Sequence, residues 1–220
     1  TPRRRRLAVL VTIEVYRGDV VFEEYLVIAP GIGLRLLADG LSAPTLAVIL
    51  LLCTALAVYS IRYVEHRTEI LYHSESTHAQ AGYHARFFTL LLFFPAGFIG
   101  TILSTNLVAV YFFMEVLTIT LFFLMAFFGY RERVRVAFVS LAWGIIGALF
   151  FLVGSLVVYS QIGSLEIADL HEMAGTPLVT GAIVLFVISL MMKLAVVPFH
   201  VWMPSVHAEH PTCIAGLLAV

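Results

Sequence analysis

Long stretches of this sequence carry almost no charge. Residues 44–61, 87–103 and 136–159 contain no Asp, Glu, Lys or Arg, and 107–128 and 178–199 contain one such residue each. A run of roughly 20 apolar residues crosses the hydrocarbon layer of a bilayer. Lipid offers no partner to backbone N–H and C=O groups, so each run must be helical. The chain therefore reads as all-α, a polytopic transmembrane helix bundle, with a further partial span from 211. Composition agrees: 61% of residues are hydrophobic and 12% charged, against roughly 45–50% and 25% in soluble domains. A net charge of −1 gives no electrostatic case for nucleic acid. Cys53 and Cys213 lie in apolar surroundings without a CxxC spacing, so they read as small hydrophobes. Thr1 opens without signal-peptide architecture and Val220 falls inside an apolar run, so both ends read as incomplete.

Upstream of the spans, 1–29 reads as an N-terminal arm with part of a helix, since 7–16 is too short to cross. Residues 30–43 carry glycines and apolar alternation and read as a hairpin or turn on the outer face. The bundle occupies 44–220. Its orientation follows from arginine placement. Loop 62–86 holds Arg62, Arg67 and Arg86, and loop 129–135 holds Arg131, Arg133 and Arg135. The opposite loops, 104–106 and 161–177, contain Glu166, Asp169 and Glu172 but no Lys or Arg. The positive-inside rule assigns the arginine loops to the cytoplasmic side. His66, His73, His78 and His84 share loop 62–86, but their spacing is irregular, which favours a solvated loop over a metal site.

Two charges lie deep inside spans. Glu115 is the only charge between Arg86 and Arg131, and Lys193 the only one between Glu172 and Glu209. At 1.5 Å per residue they lie roughly 14 Å and 22 Å below the outer ends of their helices. Either burial costs roughly 2.5–3.5 kcal/mol on insertion scales. A structural ion pair between helices would offset that cost. A proton or ion pathway would also explain it, and intramembrane ionisable groups default to that role. Lysine rather than arginine points the same way. Lys193 is the only lysine in the chain, and a buried lysine can release its proton whereas arginine cannot. Glu115 is the matching partner, and the two would titrate as one unit. Downstream, Pro198 and Pro204 interrupt helical hydrogen bonding, which predicts a discontinuous helix near Pro198. His200 lies in the break, and His200 and His207 are candidate proton relays. A metal at His207-x-x-His210 is a weaker reading, with only Glu209 nearby as a further ligand.

At these residues the sequence resembles a known family. "MKLAVVPFHVWMPSVHAEHPTCIAGLLA" is similar to the motif of the antiporter-like membrane subunits of respiratory complex I, of the subunit M or chain 4 type. Relatives of that family occur in membrane-bound hydrogenases and multisubunit cation/proton antiporters. Lys193, Pro198, His200, Trp202, Pro204, His207, Glu209, Pro211 and Thr212 match the pattern. "YFFMEVLTI" resembles the helix with the embedded glutamate, which places Glu115 on it, and "LADGLS" resembles the entry to an earlier helix. Departures are His210 where alanine is usual, Ala215 where serine is common, and Met203 and Val206 for Leu and Ala. The resemblance implies the first inverted-repeat half of an antiporter-like fold. It implies proton translocation within a redox-driven complex, with Glu115, Lys193, His200 and His207 as the translocating residues. No cofactor is expected on this chain; Fe–S, flavin or NiFe centres would lie on partner subunits. The expected partners are other membrane-arm subunits, a peripheral redox module and the bilayer of a prokaryotic plasma membrane. A Na⁺/H⁺ antiporter subunit and a truncated scaffold are the alternatives.

Overall fold

The computed structural model describes residues 21–29, 32–71, 77–211 and 214–216. Strands β1 (Val21–Ala29) and β2 (Ile32–Ala38) pair antiparallel. The hairpin thus begins upstream of 30–43, in the stretch that reads as an arm. The ladder is irregular at Glu24/Leu26 and Val27/Ala29, which breaks the two-residue alternation that would have marked β1 as a strand.

Helix α1 (Ser42–Leu71) follows. Its start is fixed by Asp39 rather than by Ser42 alone. Asp39 Oδ1 accepts from the backbone N–H of Leu41 and Ser42, while Ser42 Oγ accepts from Asp39 N. The exchange is a reciprocal capping box. These bonds hold the Asp39 carboxyl, half-buried at the helix end, below the ordinary range.

Helices α2 (Thr77–Leu103), α3 (Leu107–Phe128) and α4 (Arg133–Ile162) run in succession. Helix α1 packs on α2, α2 on α3, and α3 on α4. These four helices are long and apolar enough to span a membrane. Apolarity ends before the helices do: α1 continues to Leu71 and α2 starts at Thr77, so most of the expected loop 62–86 is helix. His, Arg, Glu and Tyr are all tolerated on a helix that has left the lipid, and hydropathy does not report where such a helix stops.

The remaining helices are short. A 3₁₀ helix (Ile167–Met173) precedes α5 (Val179–Lys193), which packs on α4. The apolar run 178–199 is therefore not one helix. Helix α5 ends at Lys193, and its length of about 22 Å falls short of a hydrocarbon core of about 30 Å. The stop is a Schellman motif. Val196 N donates to Met191 O, Ala195 N to Met192 O, and Ala195 takes the left-handed conformation at φ 50°. A 3₁₀ turn (Phe199–Trp202) and the short helix α6 (Met203–Glu209) follow.

Large side chains such as Leu51, Phe93, Phe138 and Leu149 point outward, while Ser60, Ser140, Ser155 and Ser189 are buried. Ser60 and Ser155 donate to carbonyls of their own helices. The bundle thus exposes its apolar bulk and buries small residues, the arrangement of an integral membrane protein, where lipid supplies the apolar solvent and close helix contact the cohesion.

Polar clamps hold both ends. At the end away from loops 62–86 and 129–135, Glu166 accepts from Arg35 on β2, Thr105 Oγ1 and Asn106 Nδ2, at 3.3, 3.0 and 3.2 Å. Backbone bonds join the same strands of chain: Thr105 N to Arg35 O, Leu107 N to Leu165 O, and Ile167 N to Thr105 O. At the arginine end, Glu209 Oε2 accepts from Glu132 N at 2.9 Å and Glu209 O from Tyr130 N at 3.0 Å.

Asn106 is fully buried and also caps α3 by accepting from Val108 N. Replacing Asn106 with Ala should cost about 1–2 kcal/mol, the upper part of the range for a lost cap. The expected result is a lower melting temperature of the detergent-solubilised protein.

Candidate functional site

Helix α3 supplies one turn of the site. Met114, Glu115 and Thr118 lie within a single turn of it, so they present neighbouring acceptors. Lys193 is the last residue of α5. Its Nζ lies 3.4 Å from Glu115 Oε1, 2.7 Å from Thr118 Oγ1 and 3.4 Å from Met114 O. The side chains of Lys193 and Glu115 are 15% and 19% exposed. The sequence estimate put the two roughly 8 Å apart in depth, from helical rise alone. The lysine stem takes up that offset, because helical side chains lean back toward the helix N-terminus.

Helix α4 lies between α3 and α5 in the packing order, and glycines let the contact pass it. A Cβ at Gly147 would sit 3.3 Å from Met192 Cβ and 3.5 Å from Lys193 Cγ. A Cβ at Gly144 would sit 2.5 Å from Thr118 Cγ2. The two positions form a notch, with α5 against one step and α3 against the other. A cavity of about 380 Å³ adjoins Lys193, lined in part also by Thr118, Ser140, Trp202 and Phe98. Trp202 is buried, and its indole Nε1 meets no acceptor among the described residues.

The structure brings Glu115 and Lys193 together but does not bring the histidines to them. His200 lies on the 3₁₀ turn and His207 on α6; both are exposed, and neither lines the cavity. Among the described residues no cluster of three or more His, Cys, Asp or Glu side chains could hold a metal. Thr118, Gly144 and Gly147 escape sequence reasoning. Thr118 lies three residues from Glu115 on the same face, but neither it nor the glycines stand out before the bundle is packed.

His210 is buried to 3% exposure, and neither ring nitrogen is bonded among the described residues. Burial first, and then the charge of nearby His207, pushes the imidazole down to about 3. An unfolded histidine takes up a proton near pH 6.5 that the folded one refuses. Its contribution to stability is therefore full above about pH 6.5 and is lost as pH falls from there toward about 3. Between pH 7 and pH 5 the protein should lose about 1–2 kcal/mol on this account. Thermal melts of the wild type and of His210→Ala over that range check it, and the variant should show the flatter slope.

Comparison with known proteins gives the site its relatives. Residues 104–220 match the family model described as NADH:quinone oxidoreductase/Mrp antiporter, transmembrane. Subunit N of the NADH-quinone oxidoreductase of Sulfurovum sp. is 30% identical over 196 residues, covering 84% of this chain and 36% of that protein. Subunit M from Rickettsia felis is 29% identical over 124 residues, covering 55% and 25%. The chain thus spans about a third or less of the length of these curated relatives. Both subunit types match, so the likeness holds for the antiporter-like family rather than for the M type alone. Among solved structures, the Mrp complex from Dietzia sp. DQ12-45-1b superposes with a TM-score of 0.72 at 22% identity, over 96% of this chain and 38% of that one. The membrane-bound sulfane sulfur reductase, an archaeal respiratory membrane complex, superposes with a TM-score of 0.72 at 21% identity, over 94% and 40%. The chain belongs to the NADH:quinone oxidoreductase/Mrp antiporter transmembrane family.

Proposed function

We propose that this family member translocates protons within a redox-driven membrane complex, with Glu115 and Lys193 as the switch. One observation carries the reading: the only lysine of the chain lies 3.4 Å from a carboxylate inside the bundle, beside a cavity. While Glu115 is ionised it holds the ammonium. When Glu115 is protonated, or drawn away, the ammonium loses its carboxylate partner in an apolar surround and releases its proton into the cavity. Trp202 and Ser140 line that cavity and offer groups to an entering water. His200 and His207 then serve as the exit toward the arginine end, reached from the cavity rather than from the lysine.

The redox chemistry belongs elsewhere in this reading. Fe–S, flavin or NiFe centres reside on partner subunits, and other membrane-arm subunits and a peripheral module supply the driving force. The membrane is a prokaryotic plasma membrane, with the arginine-bearing ends of α1, α2 and α4 in the cytoplasm. The matching family model takes in Mrp antiporters, which leaves room for a second reading, exchange of Na⁺ for H⁺ without redox partners. Co-purifying Fe–S or flavin subunits support the first, and transport that requires Na⁺ supports the second. A scaffold role is disfavoured, because a scaffold gains stability by losing a buried pair.

Replacing Lys193 with Ala should abolish proton pumping in vesicles, with assembly retained. Lys193→Arg should pump at most about a tenth as fast, since arginine keeps its proton. Native-rate pumping by Lys193→Arg would exclude proton exchange at this position. The orientation has its own test. A cysteine at Arg131 should react with impermeant reagents only from the cytoplasmic side, and one at Ala174 only from the other; the reverse pattern inverts the path.

A further inference from the structure

The shortest contact of the Lys193 amine is not with the carboxylate. Nζ lies 2.7 Å from Thr118 Oγ1, against 3.4 Å from Glu115 Oε1 and 3.4 Å from Met114 O. The Thr118 hydroxyl donates its own hydrogen to Met114 O at 2.9 Å. With that hydrogen given to the helix, the oxygen is left to accept from the amine. Helix α4 fixes the arrangement from the other side. Gly144 faces the Thr118 methyl so closely that a Cβ there would overlap it. The methyl is seated in the notch, which holds the hydroxyl toward Lys193.

We infer that Thr118 is a positioning residue of the switch, holding the Lys193 amine on α3 whatever the charge on Glu115. The inference rests on reading Glu115 and Lys193 as that switch. A carboxylate and a backbone carbonyl can only accept, so they serve the N–H groups of the amine but have nothing for the lone pair that the neutral form exposes. A hydroxyl does both. It accepts from the ammonium, and by turning its hydrogen away from Met114 O it donates to the neutral amine. Met114 O keeps its helical partner meanwhile, so no backbone group is stranded in lipid. No covalent bond changes in this exchange. The proton leaves by whatever path the cavity provides, and Thr118 keeps the amine in place to take up the next one. The Lys193 stem, bounded by Gly147 on α4, then has no need to swing between helices.

The sole lysine makes the idea measurable. Any lysine modification on this chain reports Lys193 alone. In vesicles carrying the assembled complex, Thr118→Val keeps the shape of the side chain and removes the hydroxyl, while Thr118→Ser keeps the hydroxyl. Thr118→Val should pump about tenfold more slowly, the size expected for one lost hydrogen bond to a charged group. Reductive methylation of Lys193 by a membrane-permeant aldehyde, read by mass on the peptide, should accelerate several-fold. Thr118→Ser should restore both to near the native values. Should Thr118→Val fail to assemble, Thr118→Ala fits the same space and carries the same expectations. Native pumping and labelling in the valine variant would overturn the inference, and so would a serine variant as defective as the valine one. Native pumping by Lys193→Arg would remove the switch itself. Defective Lys193→Arg beside native Thr118→Val would remove only the role of Thr118.

Discussion

An ammonium group held among helices in lipid must have acceptors within reach, and much of this bundle can be understood as supplying them. Helix α3 offers a carboxylate, a hydroxyl and a carbonyl from one turn. Helix α4 gives way at Gly144 and Gly147 so that α3 and α5 approach it closely on either side. Helix α5 stops at the residue that bears the amine. Removing one partner of such a pair leaves an uncompensated charge and typically costs about 3–5 kcal/mol, so each of these features is constrained by the others.

The end clamps keep the register on which that contact depends. Glu166 gathers the hairpin, the α2–α3 connection and the segment before the 3₁₀ helix onto one carboxylate. Glu209 ties the end of α6 to the connection between α3 and α4. A shift of one residue along α3 would turn Glu115 by about 100° and move it away from α5. Polar bonds set this register because they are directional, whereas the apolar contacts between the helices tolerate sliding.

Bundle and pair were legible in the sequence for different reasons. Runs long enough to span with at most one charge announced α1 to α4, because lipid leaves the backbone no other conformation. Glu115 and Lys193 stood out because each is alone in an apolar field. The early end of α5 was not legible. The run 178–199 stays apolar past Lys193, and Ala195 is not a residue whose identity signals a left-handed stop. The hairpin strand β1 was hidden by its bulges. Thr118 was hidden for another reason: threonines in membrane helices commonly bond their own backbone, as Thr101 does, and only the packed structure distinguishes the one that also bonds a neighbour. His200 and His207 were brought forward by the motif alone, and the fold places them exposed, outside the lining of the cavity.

The left-handed turn at Ala195 ends a helix at a depth where most helices continue. The aligned peptide dipoles of a helix leave about half a negative charge at its C-terminus. At a membrane surface, water and headgroups screen that charge; inside the bundle it must be met by something local. The cation of the last turn of α5 is Lys193. The amine thus has a fixed counter-charge as well as a titrating one, and the fixed one stays when Glu115 is neutral. In electrical terms the site is a charge stepping between a permanent well and a switchable one. The stop at Ala195 sets how deep the permanent well is.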